Sequence, residues 1–365
     1  MRQPRKHPAH SALNYRPPTY LRNIRIGLKF LVIMAAASIV YALFWAGMAY
    51  QFREAVNGWM EMRRAEGYQV KYESFRLSGF PLIIRMEMKE IAFAAKGDAP
   101  SWSWRGDKAV VEASPWNPWR MAVSMPGGYR LDIAQKNGPA AYAGVVEEFT
   151  VRFPTGGGWP PQGELTVRNL SLSDAGSGRA AASRVVMKIE RTGTGNADYR
   201  TPTIIFRFEA EGVNAPGILS LPLGGNISLL AVEGSVLGAI PPGPWPEALG
   251  VWRDAGGTLE VKRLDAALGP LTLKAGGAMA LDAMAQPIGA FTAKVQGFFE
   301  TVEELRKDGI IGGKDAVTAT AVLGAMARKS KDGAPTTLNL SLTIQDRRIY
   351  AGPVAFAELP AIPWE

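Results

Sequence analysis

Chemistry in this chain would have to come from carboxylates. Its 365 residues include no Cys and two His, and both histidines, His7 and His10, fall within the first ten residues. The body of the chain therefore holds no Ser–His, Cys–His or His–metal set. Without Cys there is neither a disulfide framework nor a thiol for lipid attachment. What remains is the paired-acid arrangement that glycoside hydrolysis uses. Glu147 with Glu148, Glu303 with Glu304, and Asp254 are the available acids. Adjacent acids on a strand point to opposite faces, and acids in the first turn of a helix complement its dipole. All five read as solvated structural groups. No catalytic residue, cofactor or metal ligand is expected, and the chain reads as non-enzymatic.

With so little chemistry on offer, the elements themselves carry the information. Leu82, Ile84, Met86 and Met88 alternate with Ile83, Arg85, Glu87 and Lys89. Phe149, Val151 and Phe153 alternate with Thr150 and Arg152, and Ile204, Phe206 and Phe208 with Arg207 and Glu209. Val185, Met187 and Ile189, then Phe291, Ala293 and Val295, and the stretch from Leu338 to Ile344 repeat the pattern. Period two with one apolar and one charged side means antiparallel sheet that is wet on one face. The phase slips between Met88 and Ile91 and between Val167 and Leu170, where bulges are expected.

Gly79-Phe80-Pro81 reads as a turn between strands Val70–Leu77 and Leu82–Phe93, with Phe80 directed into the core and the even-numbered side of 82–88 buried. Helices are few. One runs from Arg53 to Gly67, one from Trp245 to Trp252 with Pro246 in its first turn, and one from a Thr301–Glu304 capping box to Gly309. A fourth follows from Asp315 and closes in Lys and Arg. Trp102 and Trp104 share a strand face, and Trp116 and Trp119 occupy a Pro-bent loop; sugar-stacking platforms and membrane-interface anchors are alternatives, but these aromatics are expected to close the end of a sheet. The fold class is thus mainly β: large curved antiparallel sheet or sheets with a few helices, behind one N-terminal transmembrane helix.

That helix is the uncharged run Phe30 to Phe52, long enough to cross a bilayer. Seven basic residues precede it (Arg2, Arg5, Lys6, Arg16, Arg22, Arg25 and Lys29), and the first acid, Glu54, follows it. The positive-inside rule then leaves the N-terminus in the cytoplasm. Small residues at Gly47 and Ala49 also suit a cleaved signal peptide, but the run is longer than such segments usually are, which favours an uncleaved anchor. The expected organisation is a basic cytoplasmic tail (1–29), a transmembrane helix (30–52) and a periplasmic sheet region in two halves. These are 53–240 and 241–365, the second with a helical insertion. The net charge of +8 is concentrated in the tail: the chain has 41 Lys and Arg against 33 Asp and Glu, and seven of the basic ones precede the run. A nearly neutral body lacks the phosphate contacts of a nucleic-acid binder.

The segments "GYQVKYESFRLSGFPLIIRMEMKEIAF", "SWSWRGDKAVVEASPWNPWRM" and "DRRIYAGPVAFAELPAIP" resemble the proteins grouped as domain of unknown function 2125, envelope proteins of Gram-negative bacteria. The Gly-rich sheet pattern is more distantly similar to AsmA-like lipid-transport proteins. The resemblance implies an inner-membrane anchor with its bulk in the periplasm, and it carries no catalytic residue. A long amphipathic sheet with few helices must cover its apolar face with something. The strands from Gly257 to Phe298 are expected to form an apolar groove lined by Leu259, Val261, Leu271, Leu273, Met279, Leu281, Phe291 and Val295. Gly269-Pro270 and Gly276-Gly277 are expected as its hairpin turns. Ala275, Ala278, Ala280 and Ala290 are expected to leave room in it. Two functions stay open: binding or transfer of phospholipid or another acyl-chain ligand in support of envelope biogenesis, and scaffolding of other envelope proteins.

Overall fold

The computed structural model describes residues 19–95, 102–135, 138–174, 178–192, 199–215, 225–327, 336–351, 354–359 and 361–362. His7, His10 and the first four basic residues of the tail lie outside these, as do the lysines expected to close the fourth helix. The chain forms two compact units, Met1–Glu54 and Ala55–Glu365. Helix α1, Thr19–Ala65, is continuous through the boundary. The segment Ile26–Ala65 is long and apolar enough to cross a membrane, and its apolar side chains from Ile26 to Val40 are exposed. α1 ends as expected, with Gly67 in the left-handed region at φ +92°.

The described strands of the second unit, seventeen in number, form one antiparallel sheet. β1 (Tyr68–Lys71) and β2 (Ser74–Ser78) lie end to end along β3 (Ile84–Ala95), which pairs with β4 (Trp102–Ser114). β5 (Asn117–Ser124) and β6 (Gly127–Gln135) share the space between β4 and β7 (Gly138–Pro154). From there each strand pairs with the next. The order is β8 (Gly163–Asp174), β9 (Arg179–Arg191), β10 (Pro202–Asn214), β11 (Asn226–Leu237), β12 (Thr258–Leu268), β13 (Leu271–Leu281), β14 (Pro287–Gln296), β15 (Leu338–Gln345), β16 (Arg348–Ala351) and β17 (Val354–Glu358). Helix α2 (Trp245–Asp254) joins β11 to β12, while α3 (Phe298–Lys307) and α4 (Gly313–Met326) are inserted between β14 and β15. β11 pairs directly with β12 across the Pro241–Pro246 connection, so the stretches 53–240 and 241–365 share one ladder.

The two phase slips are left-handed residues, Glu90 at φ +48° and Asn169 at φ +47°. The ladder skips each of them without changing register: Lys89 opposes Lys108 and Ile91 opposes Gly106. They are breaks in the pleat and not the inserted residues of true bulges. On the strands between and beyond, Glu147, Ser183 and Gly212 (φ +59°) are skipped at the same level. The result is a crease across the sheet, at which strands re-aim their side chains. This is how Met88 and Ile91 come to line the same side.

Four local expectations are corrected. The stretch Val70–Leu77 is two strands broken at Tyr72 and Glu73. The turn after Gly79 (φ +103°) closes with the Ile83 N–H donating to the Gly79 carbonyl at 3.0 Å, so β3 starts only at Ile84. Leu82 and Phe80 consequently project beyond the last ladder pair and are exposed, while Ile84, Met86 and Met88 are buried as expected. Trp119 lies within β5, and only Trp116 sits in the turn. The capping box does not form: α3 starts three residues earlier, after Gly297, and the Thr301 hydroxyl donates back to the Gly297 carbonyl at 2.8 Å. Gly269-Pro270 is a hairpin turn, but Gly276 and Gly277 lie in the middle of β13. There a Cβ on Gly277 would stand 2.1 Å from the Ala290 carbonyl oxygen, so the glycine permits a close approach of β14.

Candidate functional site

Register turns the alternation into a surface. Starting at Met86 and following directly opposed residues from strand to strand, one passes Val111, Val123, Val151, Leu165, Met187, Phe208, Val232, Leu264, Ala275, Ala293 and Leu340. Every residue on this path across twelve strands is apolar. The neighbouring path on the other face runs Arg85, Glu112, Ala122, Arg152, Glu164, Lys188, Arg207, Glu233 and Arg263. Arg85 pairs with Glu112, Arg207 with Glu233 at 3.0 Å and Arg152 with Glu164 at 3.8 Å. One face is thus a continuous apolar belt and the other a charge ladder. At about 4.8 Å between strands, the belt is roughly 50 Å long.

Protein covers the belt only in places. Met86 and Val111 at one end and Ala293 toward the other are buried. Between them Val151, Leu165, Phe208, Val232, Leu264 and Ala275 are half-buried, and Met187 is exposed. A two-layer core would seal such residues.

At the β3 end, the part of α1 that belongs to the second unit forms a roof. Val56, Trp59 and Met60 have the spacing of one helical face. With Ala55 they line an apolar cavity of about 850 Å³ against Met88, Phe93, Trp102, Trp104, Val111, Met121, Val123, Val151 and Phe153. Four aromatic rings close it beyond the crease. Trp59 stacks on Phe93 at 6.3 Å between centroids, Phe93 on Tyr68 at 5.2 Å, and Trp102 lies 5.5 Å from Phe93. The Arg64 guanidinium ties the helix end to the sheet by donating to the Val70 carbonyl at 2.9 Å. The size and lining suit an apolar ligand.

The eight residues expected to line a groove all fall on the belt side of β12–β14. Leu259 opposes Met279, Val261 opposes Gly277, and Leu273 opposes Val295. Phe291 opposes Gly277, while Leu271 and Leu281 continue the β13 side. Val261 is buried and the others are half-buried. Leu259 and Leu281 pack on the cluster formed by Trp252 of α2 with Ile204 and Val236. Of the alanines expected beside them, only Ala275 shares this face. Ala278, Ala280 and Ala290 are of opposite parity, and Gly277, Gly289 and Ala293 are the small residues on the groove side. The α1 roof escaped the sequence reading, although the Val56, Trp59, Met60 stripe announces it.

Four of the five acids, Asp254, Glu303, Glu148 and Glu147, have side-chain partners. Asp254 accepts from Arg253 at 2.8 Å, and Glu303 accepts from both ends of the Arg306 guanidinium at 2.8 and 2.6 Å. These bonds hold both carboxyls below the ordinary range, the opposite of what a general acid requires. Glu148 pairs with Arg168 at 3.3 Å, and Glu147 accepts from the Asn169 amide. A second cavity, of about 1050 Å³, lies along the crease on the charged face. It holds Arg105, Arg130, Arg179 and Tyr129, whose hydroxyl burial pushes up to about 12. Asp107 accepts from the Gly128 N–H there at 2.6 Å.

Fold and surface together define a class: an antiparallel meander with one charged and one open apolar face, carried behind a helix long and apolar enough to span a membrane. Within that class, the chain belongs to the DUF2125 family, described as an uncharacterized protein conserved in bacteria, whose model matches residues 45–360. No curated protein and no solved structure matches the chain.

Proposed function

We propose that this protein is a non-enzymatic component of the bacterial cell envelope, anchored once in the inner membrane with its N-terminus in the cytoplasm and its sheet in the periplasm. Its apolar belt holds the acyl chains of phospholipid. The observation that carries the reading is the row of half-buried apolar residues from Val151 to Ala275, open where a core would be sealed. Exposed apolar area on this scale signals binding. The basic residues ahead of the apolar run support the orientation. A second reading, a scaffold for other envelope proteins, draws on β17, whose described pairing is to β16 alone and which leaves an edge for strand addition.

Photo-crosslinking in cells separates the two. Probes at Met187, Phe208, Met279 and Phe291 on the belt should capture phospholipid, while probes at Lys188 and Lys274 on the charged face should not. Should belt probes capture only protein, the scaffold reading replaces the lipid one. A reporter that works only in the periplasm, fused after Glu365, should be active in the same cells; a silent reporter would reject the orientation.

A further inference from the structure

The second unit carries a cluster of large apolar side chains that belongs neither to the belt's open middle nor to the roofed cavity. Two neighbouring segments form it. The β2–β3 turn presents Phe80 and Leu82, which are 55% and 68% exposed; Trp116 in the β4–β5 turn and Trp119 at the start of β5 are 66% and 68% exposed. The turns are neighbours, because Ile84 opposes Ala113 and Ser114 opposes Asn117. Four exposed residues of this size at one end of a sheet form an interaction surface and not scattered surface apolarity.

The direction of α1 identifies what meets this surface. Trp59 stacks on Phe93, far along β3 from the turns. Beyond Trp59, the Arg64 guanidinium donates to the carbonyl of Val70, which opposes Phe93, and Tyr68, three residues past the helix, opposes Ala95 at the far end of β3. Within this unit the helix therefore runs from the end bearing the turns toward Phe93. The uncharged run ends at Phe52, only three residues before Ala55. Three residues of chain reach at most about 10 Å, so a bilayer that holds the run lies within that reach of Ala55. Trp and Phe favour the boundary between acyl chains and headgroups, where one side of the ring is apolar and the other wet. Arg120, exposed beside Trp119, adds a cation for anionic headgroups.

We infer that Phe80, Leu82, Trp116 and Trp119 dock on the lipid bilayer surface and seat the β3 end of the apolar face against the membrane. The inference rests on reading Phe30–Phe52 as a bilayer-spanning segment, and the test distinguishes the two. Because the chain lacks Cys, single cysteines can be introduced into the full-length protein at Leu82, Trp119, Ala36 and Lys274. Each is labelled with an environment-sensitive fluorophore and reconstituted into phosphatidylethanolamine–phosphatidylglycerol nanodiscs with spin-labelled lipid, after its melting temperature is shown to match the parent's. Probes at Leu82 and Trp119 should lose at least half their emission, as should the one at Ala36 in the run, while Lys274 on the charged face should lose almost none. Quenching at Ala36 with Leu82 and Trp119 behaving like Lys274 would overturn the docking and leave the anchor standing. Absence of quenching at Ala36 would overturn the anchor and the docking together.

Discussion

Met86 and Met187 carry the same side chain on the same face of one sheet, five paired steps apart along the belt, yet Met86 is 2% exposed and Met187 39%. Truncation should separate them. Met86→Ala deletes a sealed side chain and leaves a void, at a cost of about 2–5 kcal/mol. Met187→Ala loses only the area already shielded. With a fully buried methionine contributing ~1.5–3 kcal/mol and water filling the opening, that loss is about 1–2 kcal/mol. Met187→Lys is the sharper variant. Its stem lies along the belt and its ammonium reaches water, so the lipid-free protein should stay within about 1 kcal/mol of the parent. An acyl chain would now meet a charge. The assay is denaturant unfolding of the full chain held in an amphipathic polymer, with and without phosphatidylglycerol. A ligand present at 100 times its Kd adds about 2.7 kcal/mol to the native state. That gain should appear in the parent and in Met86→Ala and vanish in Met187→Lys. Equal losses for alanine at the two methionines would mean that the belt is core under another layer. A lipid gain that survives Met187→Lys would mean that acyl chains lie elsewhere.

Two further outcomes follow from local geometry. At Gly79 a Cβ would stand 2.5 Å from the Ile83 carbonyl oxygen, at a φ of +103°, so Gly79→Val should lower stability by at least ~2 kcal/mol; a variant that melts like the parent would refute the turn. Tyr129, held near 12 in the folded chain against an ordinary 10, keeps a proton that the unfolded chain has lost in that interval. Stability should therefore fall as pH rises from 10 to 12, and Tyr129→Phe should flatten that fall in melts taken across the same range; identical alkaline profiles would refute the burial argument.

Alternation within each strand made the sheet, its two faces and the turn at Gly269-Pro270 legible, because those depend on residues a few positions apart. The errors arise where the deciding partner is remote. Gly276-Gly277 looks like a turn when read along the chain. Only the approach of β14 at Ala290 explains two glycines inside a strand. Phe80 looks like a core residue, since the neighbouring strand is apolar, but the extent of the turn to Ile83 leaves it beyond the ladder. The eight groove residues were readable as one side of three strands. Their continuation to Met86, and the roof made by Val56, Trp59 and Met60, required the register of the other strands.

The charge ladder explains why that register is so definite. A sheet whose apolar face is half open to water gains less from sealing a core, so hydrophobic burial alone would specify the pairing weakly. A slip of one residue would turn Arg207 and Lys188 onto the belt and Phe208 and Met187 onto the charged side. A slip of two would preserve the faces but break ion pairs such as Arg207 with Glu233 and Arg85 with Glu112. Each exposed pair contributes under about 1 kcal/mol. Repeated across adjacent strands, however, the pairs penalise every shifted register at once. The polar face can thus hold the strands in place while the opposite face stays open for something other than protein.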